Sequence, residues 1–167
     1  MKIILVDEKD NVIGSKERSK LNHPEDIYRV SALWITNNKG DILLAQRALT
    51  KDKDPGLWGP SVAGTVELGE TYDDNIKKEI SEEIGLKNVK LKKGPKIMVS
   101  SPRRYFCKWY FLKTDKKAED FTIQKEEVAQ VKWFSKEKLM KMLKETPSQI
   151  IPAFRDGKTI NQLESEQ

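Results

Sequence analysis

The chain has 167 residues, of which 34% are charged and 37% hydrophobic, and its formal net charge is +5. This composition is typical of a soluble globular domain, and no apolar run approaches the roughly 20 residues of a transmembrane helix. The N-terminus is too acidic for a secretory signal, and the single cysteine, Cys107, excludes an internal disulfide. These features predict a cytoplasmic protein with no membrane partner. The scattered lysines form no aromatic–basic motif, which argues against nucleic acid as a partner and suits a phosphate-bearing small substrate.

Strands are predicted where short apolar runs are bounded by turn residues. In chain order they cover residues 3–6, 12–16, 29–36, 42–46, 60–63, 89–91, 97–100, 105–112 and 128–134. Polar or proline-containing segments at 17–26, 49–60 and 113–126 are predicted to be connectors and loops. Gly64 is expected to end the strand that precedes it.

The first predicted helix begins after Thr71, where Asp74 completes a capping box, and stops at Gly85. A second helix begins after Ser135, and a third opens at residues 146–149, with proline at its first position and glutamine closing a capping box. Helices must cover the strands, so the fold class is α/β (α+β), a mixed layered domain. We expect one domain over residues 1–160, with an N-terminal hairpin and connector at 1–27 and a frayed tail at 161–167.

Three carboxylates crowd one side of the first predicted helix. Glu79, Glu82 and Glu83 are spaced i, i+3 and i+4, so they share a face and repel one another. The isoleucines of this helix, including Ile76, recur every fourth residue and form an apolar stripe along one side. At about 100° per residue, Glu83 lies about 20° from Ile76, at the edge of this stripe. A charge buried there costs several kcal/mol unless it is paired or bound to a metal. The alternative is a solvated face neutralised by the two neighbouring lysines.

Glu70 adds a fourth carboxylate at the start of this helix, and the glycine at 64 allows a backbone to pass close by. Oxygen ligands in this number suit Mg²⁺ or Mn²⁺. Zinc is disfavoured because the only histidine, His23, and the only cysteine lie far away in the sequence. The residues alone therefore predict metal-assisted chemistry on a phosphate ester or anhydride.

The spacing of these residues resembles a known motif. Gly64 is followed after five residues by Glu70, and after seven more by KEISEEIGL from Lys78 to Leu86. This resembles the Nudix box, G-x5-E-x7-R-E-U-x-E-E-x-G-U, with Lys78 in place of the family's arginine. The segments ILLAQR, LWGPSVAG and VKWFS follow in the family's order over roughly residues 28–145. The opening VDEKDNVIG resembles the branch related to isopentenyl diphosphate isomerase.

The resemblance implies an α/β/α sandwich with a central mixed β-sheet and hydrolysis of a nucleoside-diphosphate-linked small molecule. It implies that metal-activated water attacks phosphorus, and that Glu70 supports the metal shell or orients residue 78. Lysine at 78 keeps the charge but loses the bidentate geometry of arginine. The implied metal ligands for Mg²⁺ or Mn²⁺ are the Gly64 carbonyl, Glu79, Glu82 and Glu83, with Glu79 and Glu82 also counted as catalytic.

Several residues outside the box are further candidates. A general base on a late loop is common in the family, and Glu126 and Glu127 fall there; the alternative is an exposed loop pair. Basic residues could hold phosphate oxygens, with surface charge as the alternative. These basic candidates are Arg47, Lys51, Arg103 and Arg104.

Two other functions compete with hydrolysis. The isomerase uses a cysteine shortly before the box and histidine ligands, whereas LWGPSVAG has no cysteine and Tyr28 stands where that branch often has histidine. A non-catalytic ligand- or RNA-sensing domain usually loses box glutamates, whereas this chain keeps all four. Family members are often dimers, so the resemblance also makes a homodimer an expectation.

Overall fold

The computed structural model describes all residues from Met1 to Gln167. It contains nine strands and three α-helices, joined by loops that include four short 3-10 helices. The strands are β1 Lys2–Val6, β2 Val12–Glu17, β3 Ile27–Thr36, β4 Ile42–Arg47, β5 Trp58–Pro60, β6 Val62–Thr65, β7 Lys92–Val99, β8 Arg104–Lys113 and β9 Val128–Phe134. The α-helices are α1 Tyr72–Glu83, α2 Lys136–Glu145 and α3 Lys158–Glu166.

Strand β3 is the centre of a mixed sheet. It pairs in parallel with β8 along its whole length, from Ile27 opposite Arg104 to Thr36 opposite Lys113. Its other partners, β1, β4 and β6, are antiparallel. Strand β4 carries the sheet on to β5 and β9. On its other edge β3 thus pairs in turn with β1 through its first two residues, with β6 through its middle and with β4 through its last two residues.

Helices cover both faces of the sheet. Successive residues of β3 point to opposite faces, and the residues on each face pack in a separate apolar cluster. One cluster contains Trp34 with Leu139 of α2 and residues of α3. The other contains Leu33 with Ile76 and Ile80 of α1. The predicted α/β/α sandwich with a mixed sheet is confirmed. None of the helices combines the length and the apolar character needed to cross a membrane.

The predicted C-terminal structure was wrong. Residues 161–167 were expected to fray, but α3 begins at Lys158 and runs to Glu166, with Ile160 and Leu163 completely buried. Only two apolar residues mark this segment in the sequence, yet both meet the large apolar surface around Trp109 and Phe154. The helix predicted at 146–149 is a single 3-10 turn without a side-chain cap.

Three other local predictions also differ from the structure. Residues 89–91 form no strand, and the next strand begins at Lys92. The loop predicted at 49–60 ends in β5, because Gly59 pairs with Ala45 of β4. Gly64 does not end β6, since its backbone pairs with Ser31 of β3. In the last two cases a distant pairing partner decided the outcome.

Candidate active site

Helix α1 is held in a fixed position over β6 by its N-terminal turn. Thr71 and Asp74 form both hydrogen bonds of the predicted capping box, and the helix ends before Gly85, whose φ is 71°. The buried side chain of Asn75 accepts a 2.5 Å hydrogen bond from Ser31 Oγ and donates a 3.1 Å hydrogen bond to the Thr65 carbonyl. These contacts tie the helix to two strands. The sequence analysis did not single out Asn75, although a polar residue beside an apolar stripe is a usable signal.

The three helix glutamates, Glu79, Glu82 and Glu83, differ sharply in environment. Glu83 is only 8% exposed, as its helical angle predicted, and accepts one 3.3 Å hydrogen bond from the Ala63 amide. Glu79 is partly buried and Glu82 is exposed. None of the three has a lysine or arginine within ion-pair distance. The alternative of a face neutralised by neighbouring lysines is therefore wrong.

Burial and mutual repulsion disfavour the charged form of two of these carboxylates. Burial, with the charge of Glu79 beside it, raises the pKa of Glu83 to about 8. Burial also raises the pKa of Glu79 to about 6, with the charge of Glu82 adding to the rise and that of Lys78 opposing it. Both groups would be stabilised as anions by a cation placed between them.

Gly64 lets Glu79 approach the strand. A Cβ at position 64 would lie 2.3 Å from both Cδ and Oε1 of Glu79, well inside van der Waals contact. The glycine is thus required for space, and the Glu79 carboxylate lies directly against the backbone of β6. The predicted carboxylate ligand therefore lies against Gly64, the residue whose carbonyl is the other predicted ligand.

These residues fit a divalent cation that binds only partly through protein groups. Two partly or fully buried carboxylates without a cationic partner lie beside a strand carbonyl, which is the hard oxygen donor set of Mg²⁺ or Mn²⁺. The structure contains no preformed group of three or more His, Cys, Asp or Glu side chains in position to hold a metal ion by themselves. Such a set suits an ion that keeps waters and substrate oxygens in its remaining positions.

Lys78 forms no ion pair with the helix glutamates and joins two other carboxylates. Its Nζ is 2.6 Å from Glu70 Oε1 and 2.7 Å from Glu67 Oε1. Burial lowers the pKa of Lys78, but the hydrogen bonds to both glutamates more than offset this and raise it. Glu70 also accepts a 2.9 Å hydrogen bond from Asn75, which links the loop before α1 to the helix. Glu67 was not singled out from the sequence, and its contact depends on the folded loop.

The helix glutamates line a cavity of about 350 Å³. Its floor consists of alternate residues of β3 and β8, because these neighbours point to the same face of the sheet. Basic and acidic side chains also line the cavity. The sequence-predicted residues that line the cavity are Arg47, Lys51, Gly64, Lys78, Glu79, Glu82, Glu83, Arg103 and Glu127.

Three predicted site residues do not line the cavity: Glu70, which pairs with Lys78, and two residues outside the box, Arg104 and Glu126. Arg104 follows Arg103 and points to the other face of the strand, where it pairs with Glu8. Glu126 is exposed, whereas Glu127 forms an ion pair with Lys51 at the cavity wall. Glu126 is thus exposed and Arg104 is partly buried outside the cavity, whereas Glu127 and Arg103 line it and remain the candidates that the geometry favours.

The sequence comparisons agree with this geometry. The NUDIX domain family model matches residues 27–154, so the chain belongs to the Nudix family. It is 27% identical over 146 residues to an uncharacterized Nudix hydrolase from Pseudomonas aeruginosa, covering 87% of this chain and 85% of that one. It is 34% identical over 83 residues to isopentenyl-diphosphate Delta-isomerase 2 from Photorhabdus laumondii, covering 50% of this chain and 47% of that protein.

Two solved structures share the fold. The DR0079 protein from Deinococcus radiodurans superposes with a TM-score of 0.81 at 21% identity, over 93% of this chain and 96% of that one. The Nudix domain of NrtR from Shewanella oneidensis, solved with ADP ribose, gives a TM-score of 0.63 at 14% identity, over 90% and 92% of the chains. Both likenesses support the fold, which the strand order and the two helical layers define.

Proposed function

We propose that the protein is a divalent-cation-dependent hydrolase that cleaves a phosphoanhydride bond in a nucleoside-diphosphate-linked small molecule. The observation that carries this proposal is the wall of uncompensated carboxylates. Glu79 and Glu83 form no ion pair and line a cavity that Arg47 and Lys51 also line. A cation bound to the glutamates and a phosphate bound beside it and the basic residues would neutralise both sets of charges.

Under this proposal Glu79, Glu82, Glu83 and the Gly64 carbonyl hold the Mg²⁺ or Mn²⁺. The bound cation would neutralise charge on the phosphates and lower the pKa of a coordinated water. Glu70 and Lys78 would act indirectly, since they fix the loop that leads into α1.

The basic side chains that line the cavity would bind the substrate phosphates, and Glu127 would accept a proton. Arg47 is oriented by a 2.9 Å hydrogen bond from its Nε to the Lys53 carbonyl. Lys51 pairs with Glu127 in the absence of substrate. When Lys51 turns to a phosphate oxygen, the Glu127 carboxylate becomes free to accept a proton from the attacking water.

A nucleotide is supported by the aromatic content of the cavity. Tyr28, Tyr105 and Trp109 line it, and such rings can stack on a base. The related NrtR domain was solved with ADP ribose. We also propose a cytoplasmic location, which suits a chain with one buried thiol. We further propose that the protein forms a homodimer.

An isomerase acting on isopentenyl diphosphate is a second candidate, favoured by the partial match to that enzyme. Its cysteine shortly before the box is absent here. Cys107 does line the cavity, but complete burial raises the pKa of its thiol, which keeps it protonated. Product analysis with isopentenyl diphosphate separates the two functions, because isomerisation moves a double bond and releases no phosphate.

The test of hydrolysis is a screen of nucleoside diphosphate and triphosphate compounds with Mg²⁺ or Mn²⁺, measuring phosphate or pyrophosphate release. We expect turnover with at least one compound, and Glu83→Gln should lower kcat by about 100-fold or more. Glu126→Gln is the matched control, since that glutamate is exposed and outside the cavity. Absence of turnover with both ions on every phosphoanhydride would refute the proposal.

A further inference from the structure

A second charged region lines the cavity, and of its residues only Arg103 has been named above, as a candidate to hold phosphate oxygens. It is formed by Arg18, Lys53 and Arg103, grouped around the ring of Tyr28. Both arginines lie close enough to Tyr28 to oppose the rise in its pKa that burial causes. Arg18 and Lys53 belong to segments with no sequence motif, the connector before β3 and the loop before β5. Only the fold brings them together.

The cationic cluster, Arg18, Lys53 and Arg103, is incompletely neutralised. Arg103 Nη2 lies 2.8 Å from Asp54 Oδ2, but neither Arg18 nor Lys53 has a carboxylate within ion-pair distance. Among the residues that line the cavity, these three cations and Asp54 leave a formal charge of +2, which the nearby carboxylate of Asp52 partly offsets. A phosphate monoester carries about −1.5 to −2 at neutral pH, so the cluster complements one phosphoryl group.

The environment of Lys53 supports this view. Its Nζ lies 2.6 Å from His23 Nε2, and the backbone carbonyl of Lys53 is held by Arg47. Burial and the nearby charges of Arg103 and Arg18 lower the pKa of Lys53, and burial with the Lys53 charge lowers the pKa of His23. Crowded cations of this kind are unfavourable on their own and are stabilised when an anion binds among them.

The cluster is separated from the helix glutamates along the sheet. Tyr28 pairs with Tyr105, whereas Gly64, against which Glu79 lies, pairs with Ser31. Ser31 follows Tyr28 by three residues, which corresponds to about 10 Å along a strand. This spacing is longer than one phosphoanhydride link. The floor between the two regions is apolar and includes Val30 and Cys107.

We propose that Arg18, Lys53 and Arg103 form a second anion-binding subsite, which takes a phosphoryl group separated from the cleaved phosphoanhydride by a sugar-sized spacer. The substrate class is thus a diphosphate compound that carries a further phosphate. The existence of the subsite stands on its own geometry, and its role in selecting the substrate rests on the proposed hydrolysis.

The first test is a titration of the metal-free protein with inorganic phosphate by calorimetry. We expect wild-type protein to bind phosphate, and Lys53→Gln and Arg103→Gln each to raise Kd about tenfold, as for loss of one charge-assisted hydrogen bond. Lys20→Gln is the control, because this exposed lysine neighbours the cluster but does not line the cavity. Thermal unfolding verifies that each variant folds. Failure of wild-type protein to bind phosphate, or equal binding by Lys53→Gln, would overturn the subsite.

The second test compares kcat/KM for ADP with kcat/KM for the same nucleotide phosphorylated at the 3′ oxygen. We expect wild-type enzyme to prefer the phosphorylated compound by about tenfold, and Lys53→Gln to lose most of that preference. An unchanged ratio in Lys53→Gln would contradict the role in substrate selection. If neither compound is hydrolysed with Mg²⁺ or Mn²⁺ although other phosphoanhydrides are, the proposed substrate selection is refuted and the proposed hydrolysis is not. If no phosphoanhydride is hydrolysed, the proposed function fails, and the phosphate titration still decides the subsite.

Discussion

The Nζ of Lys78 lies 2.6 Å from the Oε1 of Glu70, and the same ammonium also binds Glu67. It does not contact the helix glutamates, although it precedes one of them directly in the sequence. The single positive charge therefore fixes the loop that delivers the chain into α1, while the carboxylates facing the cavity stay uncompensated. A lysine can serve this purpose because one ammonium can donate to two separate carboxylates.

Removing this contact should weaken the site more than the fold. We expect Lys78→Met to lower kcat/KM by about tenfold, as is usual for a residue that orients ligands from outside. The stability loss should be only about 1 kcal/mol, because all three side chains are partly exposed. Lys78→Arg should retain activity within a few fold. Steady-state kinetics and thermal unfolding provide the measurements, with the exposed Lys77→Met as control; equal effects at both positions would contradict the assignment.

The contact between Gly64 and Glu79 predicts a position that accepts no side chain. In Gly64→Ala the new Cβ would lie 2.3 Å from the Glu79 carboxylate, so the glutamate must move. We expect kcat to fall by roughly 100-fold and the protein to lose about 1–3 kcal/mol of stability.

Gly14→Ala is the matched control, since a Cβ there meets nothing within 4 Å and the residue is also in a strand. Mg²⁺ binding measured by calorimetry should weaken in Gly64→Ala only. Normal Mg²⁺ affinity in that variant would show that Glu79 is not a ligand.

The buried carboxylate of Glu83 should make the metal-free protein less stable as the pH rises. Its pKa is about 8 in the folded state against the usual 4.5, so the folded protein keeps a proton that the unfolded chain loses. Stability is therefore highest below pH 4.5 and is lost as the pH increases through about 8, by up to about 5 kcal/mol. Denaturant unfolding at several pH values, without metal, measures this slope.

Glu83→Gln should flatten that pH dependence and be more stable than wild type at pH 8, because a neutral amide replaces a buried charge. Saturating Mg²⁺ should stabilise the wild type more at pH 8 than at pH 5. Glu82→Gln, an exposed neighbour, serves as the control. A wild-type stability that increased from pH 5 to pH 8 would contradict the buried environment of Glu83.

Helix α3 should contribute substantially to stability. Leu163 is completely buried against the sheet, so Leu163→Ala is expected to destabilise the protein by about 2–5 kcal/mol. Gln162→Ala, an exposed neighbour on the same helix, should change stability by less than about 0.5 kcal/mol. Chemical denaturation distinguishes the two, and a small effect at Leu163 would support the frayed tail that the sequence suggested.

Local signals in the sequence were sufficient for several elements. The cap at Thr71, the apolar stripe at every fourth residue and the stop at Gly85 act within one helix, and α1 forms where they predict it. The burial of Glu83 followed from helical geometry alone. These features depend on neighbours a few residues away, so the sequence carries them directly.

Pairings between distant segments needed the tertiary structure. Strand β5 forms because its backbone pairs with β4. Helix α3 forms because the side chains of Ile160 and Leu163 pack against a large apolar surface. Pleat alternation decided that Arg103 and not Arg104 lines the cavity. The spacing of the box in the sequence was enough to identify the family and the candidate metal-binding carboxylates. The partners of Lys78 and the cationic cluster around Tyr28 arise only when the fold brings loops that are far apart in the chain to one cavity.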